Sequence, residues 1–277
     1  MMLALRGPSK AAAYTLLAFG IFIIIAPFLW VALQSFKYQI AILQGAWIFP
    51  PTWFNYLDVL YSPRSDFPLN LWNSIVVATV STVCVLIVGT LAAYSLSRLS
   101  WKRWIARGFL AWTLIFNMIP PLTLIGPWYL IFREIGLYQT LSGLILAHIT
   151  LNLPMTIWMM MAYFNEIPIE IEDAARVDGC RRVDAFWRIS LPLVAPGLIA
   201  AGVLAFVFSW NEFAVALNLT SRATATVPVA IARFAQEYEI QYGQMAAASI
   251  LSTIPALVLM FFGQRFVVQG LTMGAVK

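Results

Sequence analysis

Charge is what this sequence has least of: 10% of its 277 residues are Asp, Glu, Lys or Arg, against 61% hydrophobic. So little polar surface cannot cover the apolar side chains in water, which excludes an ordinary soluble globule. Histidine is nearly absent as well. A lone His148 cannot anchor a metal site, and no Ser or Cys stands beside an obvious base, so neither a metal centre nor a catalytic residue is expected. The phosphate-cradling pattern GxxxxGK[ST] is missing, so nucleotide energy, if the chain uses any, must enter through another subunit. Cys84 sits in an apolar run and Cys180 in a polar connector; two cysteines at different depths make no disulfide framework.

What is present is length without charge. Uncharged runs lie at 11–36, 67–97, 108–132, 135–165, 189–211 and 240–264, the fourth holding only His148. Each exceeds the roughly 20 residues that cross a bilayer core as helix. None alternates like a barrel strand, so six spanning helices in an all-α membrane protein are expected. The first run is too long for a cleavable signal and lacks a small-x-small site, so it reads as an uncleaved span. With the N-terminus inside, 12 of the 17 Lys and Arg fall on the inner side, which predicts both termini in the cytoplasm. The net charge of +5 then reflects topology, and no nucleic-acid partner is expected.

Between the spans, "FPPTWFNYLDVL" (49–60) reads as a short helix at the outer interface, where Trp53, Tyr56 and Tyr61 suit the headgroup level. Pro120, Pro121, Gly126 and Pro127 predict a kink or break in the third span, and Pro154 and Pro255 a bend in the fourth and sixth. No connector is long enough for a separate soluble domain, so residues 1–277 read as one membrane domain. Two ionisable groups fall where lipid makes them costly: His148, and Glu212 within "FSWNEF" (208–213). Together with Asn211 they are candidates for a polar wall or gate on a translocation path; the plainer reading is a structural hydrogen bond near the interface.

Ten of the 29 charged residues crowd into the connector at 165–192, which the topology makes cytoplasmic. Ile171, Ala174 and Ala175 share a helical face, and Val183, Phe186 and Trp187 make a second stripe after Gly179, which can turn the chain between two short helices. The pattern predicts a helix-turn-helix elbow with an apolar edge, shaped to dock on a partner. A plain amphipathic connector resting on the membrane surface fits the same periodicity.

"DAARVDG", nine residues and then "ISLP" resembles the EAA motif of ABC importer permeases, with Asp173 in place of the Glu and Ala174, Ala175, Gly179, Ile189, Leu191 and Pro192 at matching spacing. The preceding Glu172 can compensate for the shorter Asp173. "NYLDVL", "NSIVVA", "WNEFAVALNLT", "PVAIARF" and the terminal "GLTMGAVK" are similar to segments of the carbohydrate, maltose-type class, so the resemblance runs over nearly the whole chain. It implies a type I importer permease (MetI-like) fold in a prokaryotic plasma (inner) membrane. It also implies a non-catalytic subunit that forms half of the path for a sugar or related polyol or oligosaccharide. The implied partners are a second permease in a heterodimer, two ATPase subunits that bind the ATP and Mg, and an extracytoplasmic solute-binding protein. Glu172, Asp173, Val183, Phe186 and Trp187 would join the motif residues in ATPase coupling, and Gly270, Leu271 and Thr272 would begin a tail reaching the ATPase. The competing reading is a subunit of an ion-coupled secondary carrier, for which Glu212 would be the one available intramembrane carboxylate; an intramembrane enzyme lacks paired catalytic residues.

Overall fold

The computed structural model describes the backbone of residues 7–235 and 240–273, and it is all helical apart from an isolated bridge between Ala235 and Ile240. In chain order the helices are α1 (Gly7–Ser35), α2 (Gln39–Leu43), α3 (Phe54–Tyr61), α4 (Phe67–Arg98), α5 (Arg103–Met118), α6 (Pro121–Glu134), α7 (Leu141–Glu166), α8 (Ile169–Val177) and α9 (Arg182–Ala185). A π turn (Phe186–Ser190) follows, then α10 (Leu191–Leu193), α11 (Ala195–Asn211), α12 (Ala214–Leu219), α13 (Val227–Arg233) and α14 (Tyr242–Met273). α1, α4, α7 and α14 are each long and apolar enough to cross a membrane. Two bent pairs, α5 with α6 and the α9–α10 segment with α11, bring the number to six if each pair is one span.

The third apolar run breaks where its prolines are. α5 stops at Met118, Pro121 takes the first position of α6, and the axis turns by 101°. A proline at that position loses nothing, because its missing N–H would be unpaired in the first turn anyway. Pro127, Pro154 and Pro255, by contrast, lie inside continuous helices. α7 starts at a Thr140 cap whose hydroxyl accepts the Gly143 amide at 3.1 Å.

The chain divides into two compact units. One comprises residues up to Pro68 with Ile231–Thr253. In it the apolar stretch of α1 has no buried residue before Ser35 among the described residues, as a lipid-facing span would. The connector after it folds tightly: Asn55 of α3 donates to the carbonyls of Ser35 (2.9 Å) and Lys37 (2.8 Å), and Ser35 meets the Tyr56 hydroxyl at 2.7 Å. Lys37 is buried, its ammonium donating to the Ala46 carbonyl and lying over the Phe49 ring at 4.7 Å. Gly243 of α14 lies so close to Asn55 that a Cβ would approach to 2.6 Å.

The other unit holds Leu69–Ala230 and the chain from Ile254. It has two apolar cores. One gathers Val77, Phe132, Leu144, Val215 and Leu219, the other Ala93, Met160, Phe164, Phe186, Val194 and Ala201. Small residues set the helix crossings: a Cβ on Gly89 would sit 2.8 Å from the Thr156 methyl, and one on Gly197 would enter the Tyr163 ring. Buried Asn70, Asn73 and Ser74 of α4 pin the loop before α13, the asparagines donating to the carbonyls of Ala223 and Ala225, and Ser74 accepting the Val227 amide at 2.7 Å.

Candidate functional site

The charged connector is the helix-turn-helix expected. α8 opens after Pro168 with Glu170 and Glu172 in its first turn and Arg176 in its last, the charge order that suits the helix dipole. It ends in a turn in which the Cys180 amide donates to the Ala175 carbonyl at 3.0 Å and the Gly179 amide to Arg176. Gly179 has φ +90°, a conformation open to glycine and strained for L residues; nothing crowds a Cβ there, so the requirement lies in the backbone alone. Asp184 then accepts the Arg181 amide at the start of α9. At Val194 the segment bends 72° into α11.

Burial sorts the residues of this elbow differently from the periodicity. On α8, Glu172 and Ala175 turn inward, while Ile171, Asp173 and Ala174 are exposed. On the second limb Phe186 is 5% exposed, with its ring 4.7 Å from Tyr94 and also against Phe164, whereas Val183 is 66% and Trp187 59% exposed. The two stripes read from periodicity are corrected here: Ala175 parts from Ile171 and Ala174, Phe186 parts from Val183 and Trp187, and Glu172, named beside them for coupling, also faces the bundle. The cause is what the bundle offers them, hydrogen-bond donors for the carboxylate and an aromatic slot for the ring. The free apolar edge consists of Ile171, Val177 (87% exposed), Val183 and Trp187. Ile189 and Leu191 are half-buried, and Pro192 is exposed in the short α10.

Inward, Glu172 meets residues that the sequence reading missed. Arg98, the last residue of α4, places Nε 2.8 Å from Glu172 Oε1 and its Nη2 at 2.6 and 2.8 Å from the carbonyls of Phe164 and Ile167. The Tyr94 hydroxyl, one turn earlier, donates to Oε2 at 3.0 Å. The available signal was an Arg closing a long uncharged run while a connector rich in acids lay nearby in the topology. A shallow depression beside the pair is lined by Tyr94, Arg98, Ile169, Asp173, Arg176 and Arg182.

The second candidate group is partly assembled. His148 is 1% exposed; its Nδ1 lies 2.6 Å from Ser209 Oγ, which in turn meets Ser81 Oγ at 3.1 Å. Nε2 is 3.6 Å from Glu212 Oε2, an ion-pair distance too long for a hydrogen bond. The Glu212 carboxylate also accepts the amides of Val215 and Ala216 at 2.8 and 2.9 Å, capping α12. Asn211 lies outside this network, exposed, its amide donating to the Val207 carbonyl within its own helix. Gly270, Leu271 and Thr272 fall in the last turn of α14, whose backbone runs to Met273; their side chains, and residues 274–277, lie outside the described residues.

Compared with known proteins, residues 85–273 match the family described as binding-protein-dependent transport system inner membrane component. The trehalose transport system permease protein SugB of Mycobacterium tuberculosis is 40% identical over 256 residues, which cover 91% of this chain and 92% of SugB. The trehalose/maltose transport system permease protein MalG of Thermococcus litoralis is 35% identical over 255 residues, 91% of each chain. Among solved structures, a chain of a bacterial ABC transporter involved in the import of the acidic polysaccharide alginate superposes with a TM-score of 0.78 at 21% identity, over 96% of this chain and 99% of that one. At that identity the likeness is one of fold.

Proposed function

This chain belongs to the family of binding-protein-dependent transport system inner membrane components, and on that premise we propose that its elbow is the docking point of a separate ATPase that drives sugar import. The chain is a multi-pass permease subunit of an ABC importer, and its sugar-transporting relatives place it among carbohydrate permeases. In our reading it forms half of the translocation path for a sugar or related polyol or oligosaccharide. It pairs with a second, different permease in a prokaryotic plasma membrane, with both termini and the elbow on the cytoplasmic side. Two ATPase subunits bind the ATP and Mg, and an extracytoplasmic solute-binding protein delivers the sugar. Catalysis is thus left to the ATPase, in keeping with a sequence that carries no phosphate loop. The start of the tail, Gly270 to Thr272, is proposed to reach toward the ATPase.

The observation that carries this reading is the elbow edge. Val177, Val183 and Trp187 expose large apolar surface on a charged segment whose inner face is already fixed to the bundle. Exposed Asp173, Arg176, Asp178, Arg181 and Arg182 are interspersed along the same segment, the mixture of large apolar and charged residues that a protein interface uses. The test is reconstitution of the chain with a partner permease, an ATPase and a solute-binding protein that co-purify with it, followed by uptake of labelled trehalose and maltose into ATP-loaded proteoliposomes. Uptake that needs ATP and the binding protein is the expected result. Uptake driven by an ion gradient in the absence of the ATPase would overturn the reading.

The His148–Glu212 pair is proposed to stand at the wall of the path and hold α7 to the start of α12 as the bundle rearranges. Support comes from a carboxylate and a buried imidazole brought within 3.6 Å of each other, on α7 and at the end of α11, helices whose apolar sequences read as spans, where ionisable groups are costly. Glu212→Gln keeps the shape and removes the charge. It is expected to slow uptake about tenfold or more, as loss of a charged buried partner worth over 1 kcal/mol does, while ATPase co-purification is unchanged. Wild-type uptake by this variant would reduce the pair to a helix cap.

A further inference from the structure

The Arg98–Glu172 pair is more than the paired burial of two charges. One guanidinium is shared among three helices. Its Nε faces the Glu172 carboxylate of α8 at 2.8 Å, and its Nη2 holds the Phe164 and Ile167 carbonyls, which close α7. Arg98 itself ends α4, and the second oxygen of Glu172 takes the Tyr94 hydroxyl of that same helix. The Phe164 carbonyl also takes the Ile167 amide at 3.2 Å, so the guanidinium adds a second donor there and a charged donor to the Ile167 carbonyl just past the helix end. Both charged side chains are less than a tenth exposed, so neither solvent nor salt loosens the contact. Phe186 adds the second limb of the elbow by packing on Tyr94 and Phe164, residues adjacent to the same joint.

Net stabilisation does not account for such an arrangement, since a buried ion pair is commonly no better than apolar side chains of equal volume. What it provides is geometry: a planar fork with fixed donor directions permits one orientation of α8 on α4 and α7, where apolar contacts would allow sliding. Asp173 and Asp184 do not compete for it. Asp173 pairs with Arg176 at 3.4 Å on the exposed side, and Asp184 caps α9. The joint lies on the inward side of α8, while the free apolar edge lies on the exposed side.

We infer that Arg98, Glu172 and Tyr94 are positioning residues that make the elbow move as one body with the ends of α4 and α7, so that motion imposed on its exposed edge reaches the bundle without slip. This rests on the permease reading above and deepens it. The joint therefore governs coupling and leaves ATPase docking untouched.

Two spin labels decide the matter in the purified importer complex. With Cys84 and Cys180 replaced by Ser, labels are placed at the exposed Leu91→Cys on α4 and Val177→Cys at the end of α8, and their distance distribution is read with and without MgATP and orthovanadate. With the joint intact, one narrow distance is expected, unchanged by nucleotide. In Glu172→Gln, and in the double variant Arg98→Met/Glu172→Leu, the distribution is expected to broaden and to shift with nucleotide by about 2 Å or more, the scale of helix shifts in switching proteins. ATPase co-purification should be retained in both. The double variant restores apolar packing and decides the question if Glu172→Gln alone unfolds. A narrow, nucleotide-independent distance in the folded double variant would overturn the inference, and so would loss of the ATPase with the label distance intact. If the unmutated chain binds no ATPase, it is the permease reading that fails; the distances measured without nucleotide still test the joint.

Discussion

Replacing Trp187 and Val183 together by alanine is expected to strip the ATPase from the importer while the membrane domain stays folded. Both side chains are mostly exposed, so the chain itself loses little packing when they are truncated. At an interface the same truncation removes a large aromatic anchor, and such anchors are worth about 2 kcal/mol or more each, a loss of roughly 30-fold in affinity. The charges beside them matter less: exposed ion pairs contribute about 0 to 1 kcal/mol, so Arg182→Ala is expected to be mild. Phe186→Ala provides the contrast. Because that ring is buried against Tyr94, its removal should destabilise the chain by about 3 kcal/mol or more and lower the melting temperature before any effect on docking is read. Pull-down with tagged ATPase over a concentration series, together with thermal unfolding of each variant, separates the two. Wild-type ATPase capture by the Trp187/Val183 variant would mean that the exposed edge rests on the membrane surface.

Gly197 is expected to tolerate no larger residue. It lies on α11 against the ring of Tyr163 of α7, and any Cβ there would occupy ring atoms. Tyr163 is itself part of the buried core with Met160 and Phe164, so the ring has no free space to enter. Gly197→Ala should therefore destabilise by about 1–3 kcal/mol as an overpacked core does, and Gly197→Leu should prevent the bundle from forming. Gly108 on α5, where nothing lies within 4 Å of a Cβ, gives the opposite sign. Its replacement by alanine should be neutral or stabilising by up to about 1 kcal/mol through helix propensity. Size-exclusion profiles and melting curves of the three variants check the ordering; equal melting of Gly197→Ala and Gly108→Ala would show that α7 and α11 separate freely.

The sequence by itself determined the features whose causes are local. Apolar runs too long and too uncharged for water became helices fit to cross a bilayer. Pro120 and Pro121 broke the third run because a proline ring cannot continue a hydrogen-bond ladder, and Gly179 turned the elbow because only glycine accepts φ +90° without strain. Pro154 and Pro255 lie within helices that continue through them, as residues expected to bend a helix without ending it can. The tertiary structure decided which way each residue faces and what it meets. Glu172 reads as a docking residue next to the motif acid, yet it turns inward because Arg98, 74 positions earlier, waits there with Tyr94. Val183, Phe186 and Trp187 form one stripe on paper; the π turn beginning at Phe186 and the aromatic slot of Tyr94 and Phe164 bury the middle residue and leave the outer two free. His148 and Glu212 come together while Asn211, the neighbour of Glu212, stays apart, because a helix ends between them. Helix formation depends on neighbours along the chain, whereas partners such as these are chosen by how helices pack, which no local pattern records.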